Sequence, residues 1–134
     1  MTDVAPQPPR QRPATLVFTQ SVLALQALAA LFATLVVFGL SRAGEFTIPT
    51  GTIWAAGLAL MLALGYAAGK QRTGWGRRLG WVLQVPMLAA GFLVPAIAII
   101  GSMFVMLWIM GLRLGTRIDR ERAERDAAAA QEEA

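Results

Sequence analysis

The chain has 134 residues, of which 56% are hydrophobic and 15% charged, and its net charge is +4. It contains no cysteine and no histidine, which excludes disulfides, thiolate nucleophiles and imidazole bases or metal ligands. The apolar residues form long uncharged blocks, a pattern that predicts an all-α integral membrane protein. In such a protein a basic excess marks the cytoplasmic side, so we expect no nucleic-acid partner.

The first forty residues predict a tail followed by a helix. Residues 1–14 contain four prolines, and we expect them to form a disordered, Pro-rich cytoplasmic tail. Residues 16–40 are 25 consecutive residues without a charge, about 37 Å long as a helix, which is enough to cross a bilayer. A cleaved signal peptide is the alternative. Its apolar region is usually about 7–15 residues long and ends at a cleavage site, which "GLSRAGEF" does not offer.

A second apolar block, residues 51–69, predicts a short spanning helix with an aromatic ring near each end, Trp54 and Tyr66. The loop "KQRTGWGRR" follows it and places Trp75 among basic residues at the membrane surface. This basic interfacial loop is a candidate for contact with anionic lipid headgroups through Lys70, Arg72, Arg77 and Arg78.

The last apolar run, residues 79–112, holds 34 residues without a charge. As one helix it would be about 51 Å long, against a hydrocarbon core of about 30 Å. Gly91 and Pro95 predict a tight turn, because both residue types break helices and Pro fits the first turn of a following helix. We therefore predict two spans, about 77–93 and 95–112. Pro86 is the rival breakpoint, but a break there leaves too few residues to cross, so we expect it to kink the third helix.

The distribution of basic residues tests this topology. Four crossings with a cytoplasmic amino terminus place eleven of the twelve Lys and Arg residues inside and Arg42 outside, whereas three crossings give six on each side. We therefore predict four transmembrane helices with both termini cytoplasmic. Residues 113–134 carry opposite charges four residues apart and predict a charged cytoplasmic helical tail. The abundance of Arg, Ala and Gly is typical of GC-rich bacteria, so we expect a multi-pass protein of the bacterial cell (inner) membrane.

No acidic or basic residue lies inside the apolar blocks 16–40, 51–69 and 79–112, although such residues usually mark function in membranes. We therefore predict no enzyme, no catalytic, cofactor-binding or metal-binding residue, and no proton-coupled transport. Gln26 and Gln84 are suited to interhelical hydrogen bonds or to lining a small polar cavity. Small residues four apart indicate close helix packing, as at Gly65 and Gly69 and at Gly111 and Gly115.

One long segment resembles a known family. "GWVLQVPMLAAGFLVPAIAIIGSMFVMLWIMGLRLG", followed by "RIDRERA", is similar to small four-helix membrane proteins of actinobacteria that form a domain of unknown function. The shared features are Trp81, Gln84, the turn at residues 91–95, Phe104 and Trp108, and the resemblance covers about residues 15–126. It implies a gene neighbourhood near folylpolyglutamate synthase, and it transfers no functional residues.

Three functions stay open from these residues. The leading hypothesis is a non-catalytic structural or accessory subunit, whose partner is a second copy or another membrane protein. One alternative is a small oligomeric transporter or facilitator with Gln26 and Gln84 lining its path. The other is a protein that interacts with anionic lipid. In each case we expect the lipid bilayer as the surroundings and no cofactor.

Overall fold

The computed structural model describes residues 12–133, and these residues fold into α-helices with no strand among them. Most of the predicted disordered tail, residues 1–11, lies outside this range. Four α-helices follow one another along the chain, and a short 3-10 helix, Ala90–Phe92, separates the last two. The α-helices are α1 Ala14–Arg42, α2 Thr50–Gly69, α3 Gly74–Ala89 and α4 Pro95–Glu133.

The helices form an up-and-down bundle in which α1 lies beside α2 and α4, and α3 lies beside the same two helices. Close contacts show the antiparallel directions. Gly115 of α4 lies against Thr15 at the start of α1, and Gly101 of α4 lies against Met87 near the end of α3. α1 and α3 therefore face each other diagonally across the centre of the bundle.

Three of these helices, α1, α2 and α4, are each long and apolar enough to cross a membrane. α3 is shorter, at 16 residues. It begins at Gly74, before the predicted position 77, because the Thr73 hydroxyl accepts a hydrogen bond from the Gly76 N–H at 3.1 Å and caps the first turn. It gives way to the 3-10 helix at Ala90.

α4 is one continuous helix of 39 residues, about 58 Å long, which includes both the predicted fourth span and the predicted charged tail. Its buried residues recur at intervals of three, four or seven, the spacing of a helix that packs along one face. They are Ile97, Gly101, Trp108, Gly111 and Gly115.

The core lies where the four helices meet, in the half of the bundle that contains the start of α1 and the α2–α3 loop. Buried apolar side chains from all four helices form one cluster there, namely Val22, Leu23, Ala30, Leu64, Ala67, Leu83, Met87 and Trp108. The outward faces carry large apolar side chains such as Phe32, Leu62 and Val85, as expected for helices surrounded by lipid.

Candidate functional site: polar groups and the groove of the bundle

The centre of the bundle contains a pair of glutamine side chains that bond to each other. Gln26 of α1 donates from Nε2 to Gln84 Oε1 at 2.9 Å, and Gln84 of α3 donates back to Gln26 Oε1 at 3.1 Å. Gln26 is 0% exposed and Gln84 is 4% exposed. Each amide thereby satisfies one donor and one acceptor of the other, and the pair joins the two helices that face each other diagonally.

Trp108 belongs to the buried cluster of the core. Its indole ring packs against Gly80 of α3, where a Cβ would collide with the ring carbons Cη2 and Cζ2. Trp81 meets it edge to face, with ring centroids 6.3 Å apart. The indole Nε1 of Trp108 is buried and has no hydrogen-bond partner within residues 12–133. The contact explains why a glycine stands at position 80.

The predicted turn residues lie at the reversal between α3 and α4. Gly91 is buried in the 3-10 helix against Ala98, so closely that a Cβ at position 91 would overlap Ala98. Pro95 is the first residue of α4, the position where its missing N–H costs nothing. Phe92 projects outward with 94% of its side chain exposed, which marks the tip of the turn.

Of the four predicted basic residues of the interfacial loop, Lys70 and Arg72 lie in the α2–α3 loop, whereas Arg77 and Arg78 lie near the start of α3, and all four are exposed. Gln71 organises the loop from within. Its Nε2 donates to the carbonyl oxygens of Ala67 at 2.8 Å and Gly76 at 2.9 Å. Trp75 is 64% exposed beside these charges, and the Lys70 ammonium lies 5.9 Å from the Tyr66 ring centroid.

A carboxylate of α4 caps the start of α1, a contact that the sequence patterns did not predict. Asp119 accepts hydrogen bonds from the N–H groups of Ala14 at 2.6 Å and Thr15 at 3.1 Å, and from the Thr15 hydroxyl at 2.8 Å. Pro13 in the N-cap position supplies no capping side chain, and the first turn of α1 has no acidic residue. Asp119 therefore takes the role of an N-cap from a distant helix.

This contact changes the acidity of Asp119. Partial burial on its own would raise the pKa of the carboxyl group. The hydrogen bonds from the Thr15 hydroxyl and from the N–H groups of Ala14 and Thr15, together with the charge of Arg122, outweigh that effect and hold the pKa below its ordinary value of 3.8. Arg122 also donates to the carbonyl oxygen of Arg12 at 3.3 Å, which ties the same two segments together.

Once α1 and α4 are known to be neighbours, the position of Asp119 in the sequence indicates that it lies on the face of α4 that contacts α1. Gly111, Gly115 and Asp119 are each four residues apart and so lie on one face of α4. The two glycines let α1 approach closely, and Asp119 contacts the start of α1. Nothing in a single sequence shows which helix α4 will meet.

Beyond Arg122 the side chains of α4 have no hydrogen bond to another described segment. Two pairs of opposite charges form along α4 itself. Arg117 bonds Glu121 and Arg120 bonds Glu124, both at 3.1 Å and both four residues apart. The two other pairs with this spacing, 121–125 and 122–126, do not form ion pairs. Ile118, Asp119 and Glu121 are half-buried, whereas all residues from Arg122 to Glu133 are exposed.

The opposite half of the bundle contains an apolar groove of about 420 Å³ between α1, α2 and the α3–α4 turn. Small side chains create the space, because six of its sixteen lining residues are Ala or Gly. These are Ala30, Ala33, Ala56, Gly57, Ala89 and Ala90. The sequence patterns do not predict this groove. Small residues that are far apart in the sequence line a cavity only when the packing of the helices brings them together.

Comparison with known proteins assigns a family. The family model described as "Protein of unknown function (DUF4233)" matches residues 17–124, most of the chain. The chain belongs to the DUF4233 family. No curated protein and no solved structure gives a match. The resemblance in the sequence is confirmed to this extent, that the chain contains a domain of unknown function.

The DUF4233 match covers the glutamine pair, the turn, the basic loop, the groove and Asp119. It therefore includes all of α2 and α3 and most of α1 and α4, and it stops within the exposed part of α4, before Arg125. The family assignment adds no chemical role for any of these groups, and their function has to be argued from their geometry.

Proposed function

We propose that the chain crosses the membrane four times, with both termini in the bacterial cytoplasm. The uncharged part of α3 and the 3-10 helix, residues 79–92, reaches about 22 Å, and snorkelling of the flanking Arg77 and Arg78 accommodates a span shorter than the hydrocarbon core of about 30 Å. Ten of the eleven basic residues in the described range lie at the end of the bundle that holds the α2–α3 loop and the α4 extension, and Arg42 lies at the other. The positive-inside rule favours that end as the cytoplasmic one.

Within this topology we propose a non-catalytic structural or accessory subunit of the inner membrane. The observation that carries the proposal is α4, a single helix anchored in the core through Trp108 and extended to Glu133. The Asp119 contact fixes the direction in which the extension leaves the bundle. About 11 residues of exposed helix beyond Arg122, near 16 Å, then project from a rigid base. A second copy or another membrane protein is the partner that such a projecting helix would contact.

The glutamine pair supports a packing role more than a transport role. Gln26 and Gln84 are bonded to each other and shielded from solvent, so neither amide presents its full set of polar atoms to a passing solute. The alternative of a small facilitator receives no support from this geometry.

The proposal is tested by cross-linking in membranes, followed by purification in mild detergent. The decisive variant exchanges the charges of one pair, Arg120→Glu with Glu124→Arg. This variant keeps an oppositely charged pair on the helix but exchanges the positions of the positive and negative charges that a partner would contact. We expect a defined cross-linked species with the natural chain and its loss with the exchanged variant. A natural chain that remains alone would contradict the proposal.

Interaction with anionic lipid is a second candidate, favoured by the basic α2–α3 loop with the exposed Trp75 beside it. Bound lipids would be counted by native mass spectrometry after reconstitution in mixed anionic and zwitterionic lipid. The double variant Arg77→Gln, Arg78→Gln should lose enrichment of anionic lipid, whereas Arg125→Gln, on the exposed extension of α4, should retain it. Equal enrichment in both variants would contradict this candidate.

The family resemblance carries two finer predictions, an actinobacterial origin and a gene for folylpolyglutamate synthase nearby. Neither follows from the residues of the bundle. They bear on which cellular process the subunit serves, and the order of genes around this one would check them.

A further inference from the structure

The apolar groove between α1, α2 and the α3–α4 turn is large enough to hold a molecule. Its volume of about 420 Å³ falls within the range of small-molecule sites, and it is partly open to the outside of the bundle. On α1 it runs from Ala30 to Val37, about 10 Å along the helix axis. On α2 it runs from Thr52 near the start of the helix to Leu60.

The lining excludes water as the natural content. None of the sixteen lining residues is charged, and only Thr34 and Thr52 have a polar side chain. The Thr34 hydroxyl already donates to the Ala30 carbonyl oxygen at 2.7 Å. A stable water needs two to four polar partners, and apolar cavities of this kind stay dry.

The groove runs only about 10 Å along α1, or about two helical turns, and its lining carries no charge. A slender, flexible and uncharged chain matches such a space. Leaving the space empty would deprive the lining atoms of dispersion contacts, so an occupant stabilises this half of the bundle.

We propose that the groove binds one hydrocarbon chain of a membrane phospholipid. The chain enters beside Thr52 and Ile48, lies over Ala33 and Ala56, and ends against Met87 and Ile97. This inference rests on the proposed membrane topology but not on the accessory role. The exposed Arg42, at the end of α1 near the same end of the bundle, has the charge that suits a lipid phosphate.

The first experiment fills the groove and counts the lipids retained after purification. The double variant Ala33→Leu, Ala56→Leu places two larger side chains in the groove. Its matched control, Ala55→Leu with Ala59→Leu, adds the same atoms on exposed positions of α2 that do not line the groove. By native mass spectrometry from mild detergent, we expect one retained phospholipid on the natural chain and the control, and at least a tenfold smaller bound fraction on the filled variant.

Equal lipid retention in the filled variant and its control would overturn the proposal, and so would a natural chain that retains no lipid. A dimer that separates when the groove is filled would also overturn it, because the occupant would then be a second copy. The membrane fraction of the control variant separates the two levels of failure. A control absent from membranes contradicts the topology, whereas a control present in membranes without bound lipid contradicts the groove alone.

The second experiment uses the natural chain, so it does not depend on the folding of a variant. The protein is reconstituted with phospholipid that carries a photoreactive diazirine in one acyl chain, and cross-linked peptides are mapped by mass spectrometry. We expect cross-links to concentrate on the groove residues Ala33, Val37, Thr52 and Ala56. Equal labelling of the outward-facing residues Leu25, Leu28 and Leu62 would show general contact with the bilayer and overturn a specific site.

Discussion

The Gln26–Gln84 pair is the polar centre of an otherwise apolar core, and its two hydrogen bonds make the two residues interdependent. Replacing one amide leaves the other buried without its partner, and an unpaired buried polar group costs about 1–3 kcal/mol. Replacing both removes that cost together with the bond. The contribution of such bonds in membranes averages only about 0.6 kcal/mol, so the unpaired group dominates the effect.

We therefore expect Gln84→Leu alone to lower the free energy of unfolding by about 1–3 kcal/mol. The double variant Gln26→Leu, Gln84→Leu should be less destabilised than the sum of its single variants. Unfolding in detergent mixtures, followed by circular dichroism, provides the three values of the double-mutant cycle. Losses that simply add would show that the two amides act independently, against the reciprocal bonds.

Gly80 offers a second test, because its missing side chain makes room for the Trp108 ring. A Cβ at position 80 would lie 2.6 Å from Cη2 of the indole. We expect Gly80→Ala to displace the ring and to cost about 1–3 kcal/mol, as overpacking in a core does. Gly65→Ala is the matched control, since no atom lies within 4 Å of the added carbon. Thermal unfolding of the two variants checks the difference, and equal melting temperatures would contradict the packing of Trp108.

Several residue contacts follow from the sequence and others do not. The apolar surroundings of Gln26 and Gln84 make hydrogen bonding between helices the physically favoured outcome, and the structure joins these two. Gly65 and Gly69 have the same spacing as Gly111 and Gly115, yet only the second pair packs against a neighbour, α1. Spacing shows which residues share a helix face, but the neighbour of that face depends on the arrangement of the whole bundle.

Among the helices, α4 supplies the cap that α1 lacks locally, through the contact between Asp119 and the start of α1. Removing an N-cap side chain costs about 1 kcal/mol. We expect Asp119→Ala to destabilise the bundle by about this amount at neutral pH. Asp126→Ala, on the exposed end of the same helix, should change stability little. Denaturation of the two variants in detergent at pH 7 would show the difference, and equal stability would contradict the capping role.

The same contact has a defined pH dependence. The pKa of Asp119 is lower in the folded chain than its ordinary value of 3.8, so the folded state favours the ionised carboxylate. Its stabilisation is fully present above about pH 4 to 5 and is lost as the pH falls through the lowered folded pKa. The stability difference between the natural chain and Asp119→Ala should therefore shrink below pH 4. A difference that stays constant down to pH 2 would contradict ionisation as its source.

The boundaries of the helices show where sequence patterns stop being informative. The reversal at Gly91 and Pro95 follows from length and from the chemistry of these two residue types. The start of α3 at Gly74 depends on the hydrogen bond by which Thr73 caps the helix. The charged residues around Thr73 predict a loop at the membrane surface and do not indicate this cap. α4 continues through residue 113 because no helix-breaking residue lies there. The change from apolar to charged residues at this point indicates where the helix leaves the apolar surroundings, not where it ends.

The molecule as a whole combines a bundle suited to a bilayer with a charged helical extension at one end. Its exposed apolar residues surround the helices, and its basic residues collect at the end that holds the α2–α3 loop, a distribution typical of membrane proteins. The fold class follows from the sequence because hydropathy dictates both features. The apolar groove does not, since it depends on the relative positions of three segments of the bundle.

The proposed four crossings, with both termini in the cytoplasm, can be tested by single-cysteine labelling, because the natural chain contains no cysteine. Cysteines would be placed at exposed positions in four variants, Phe92→Cys, Glu45→Cys, Arg72→Cys and Arg125→Cys. Intact cells or spheroplasts would then be treated with a membrane-impermeant maleimide. We expect labelling at positions 92 and 45 from outside, and labelling at positions 72 and 125 only after the membrane is opened. Labelling of position 125 from outside, with position 92 protected, would contradict the four-crossing account.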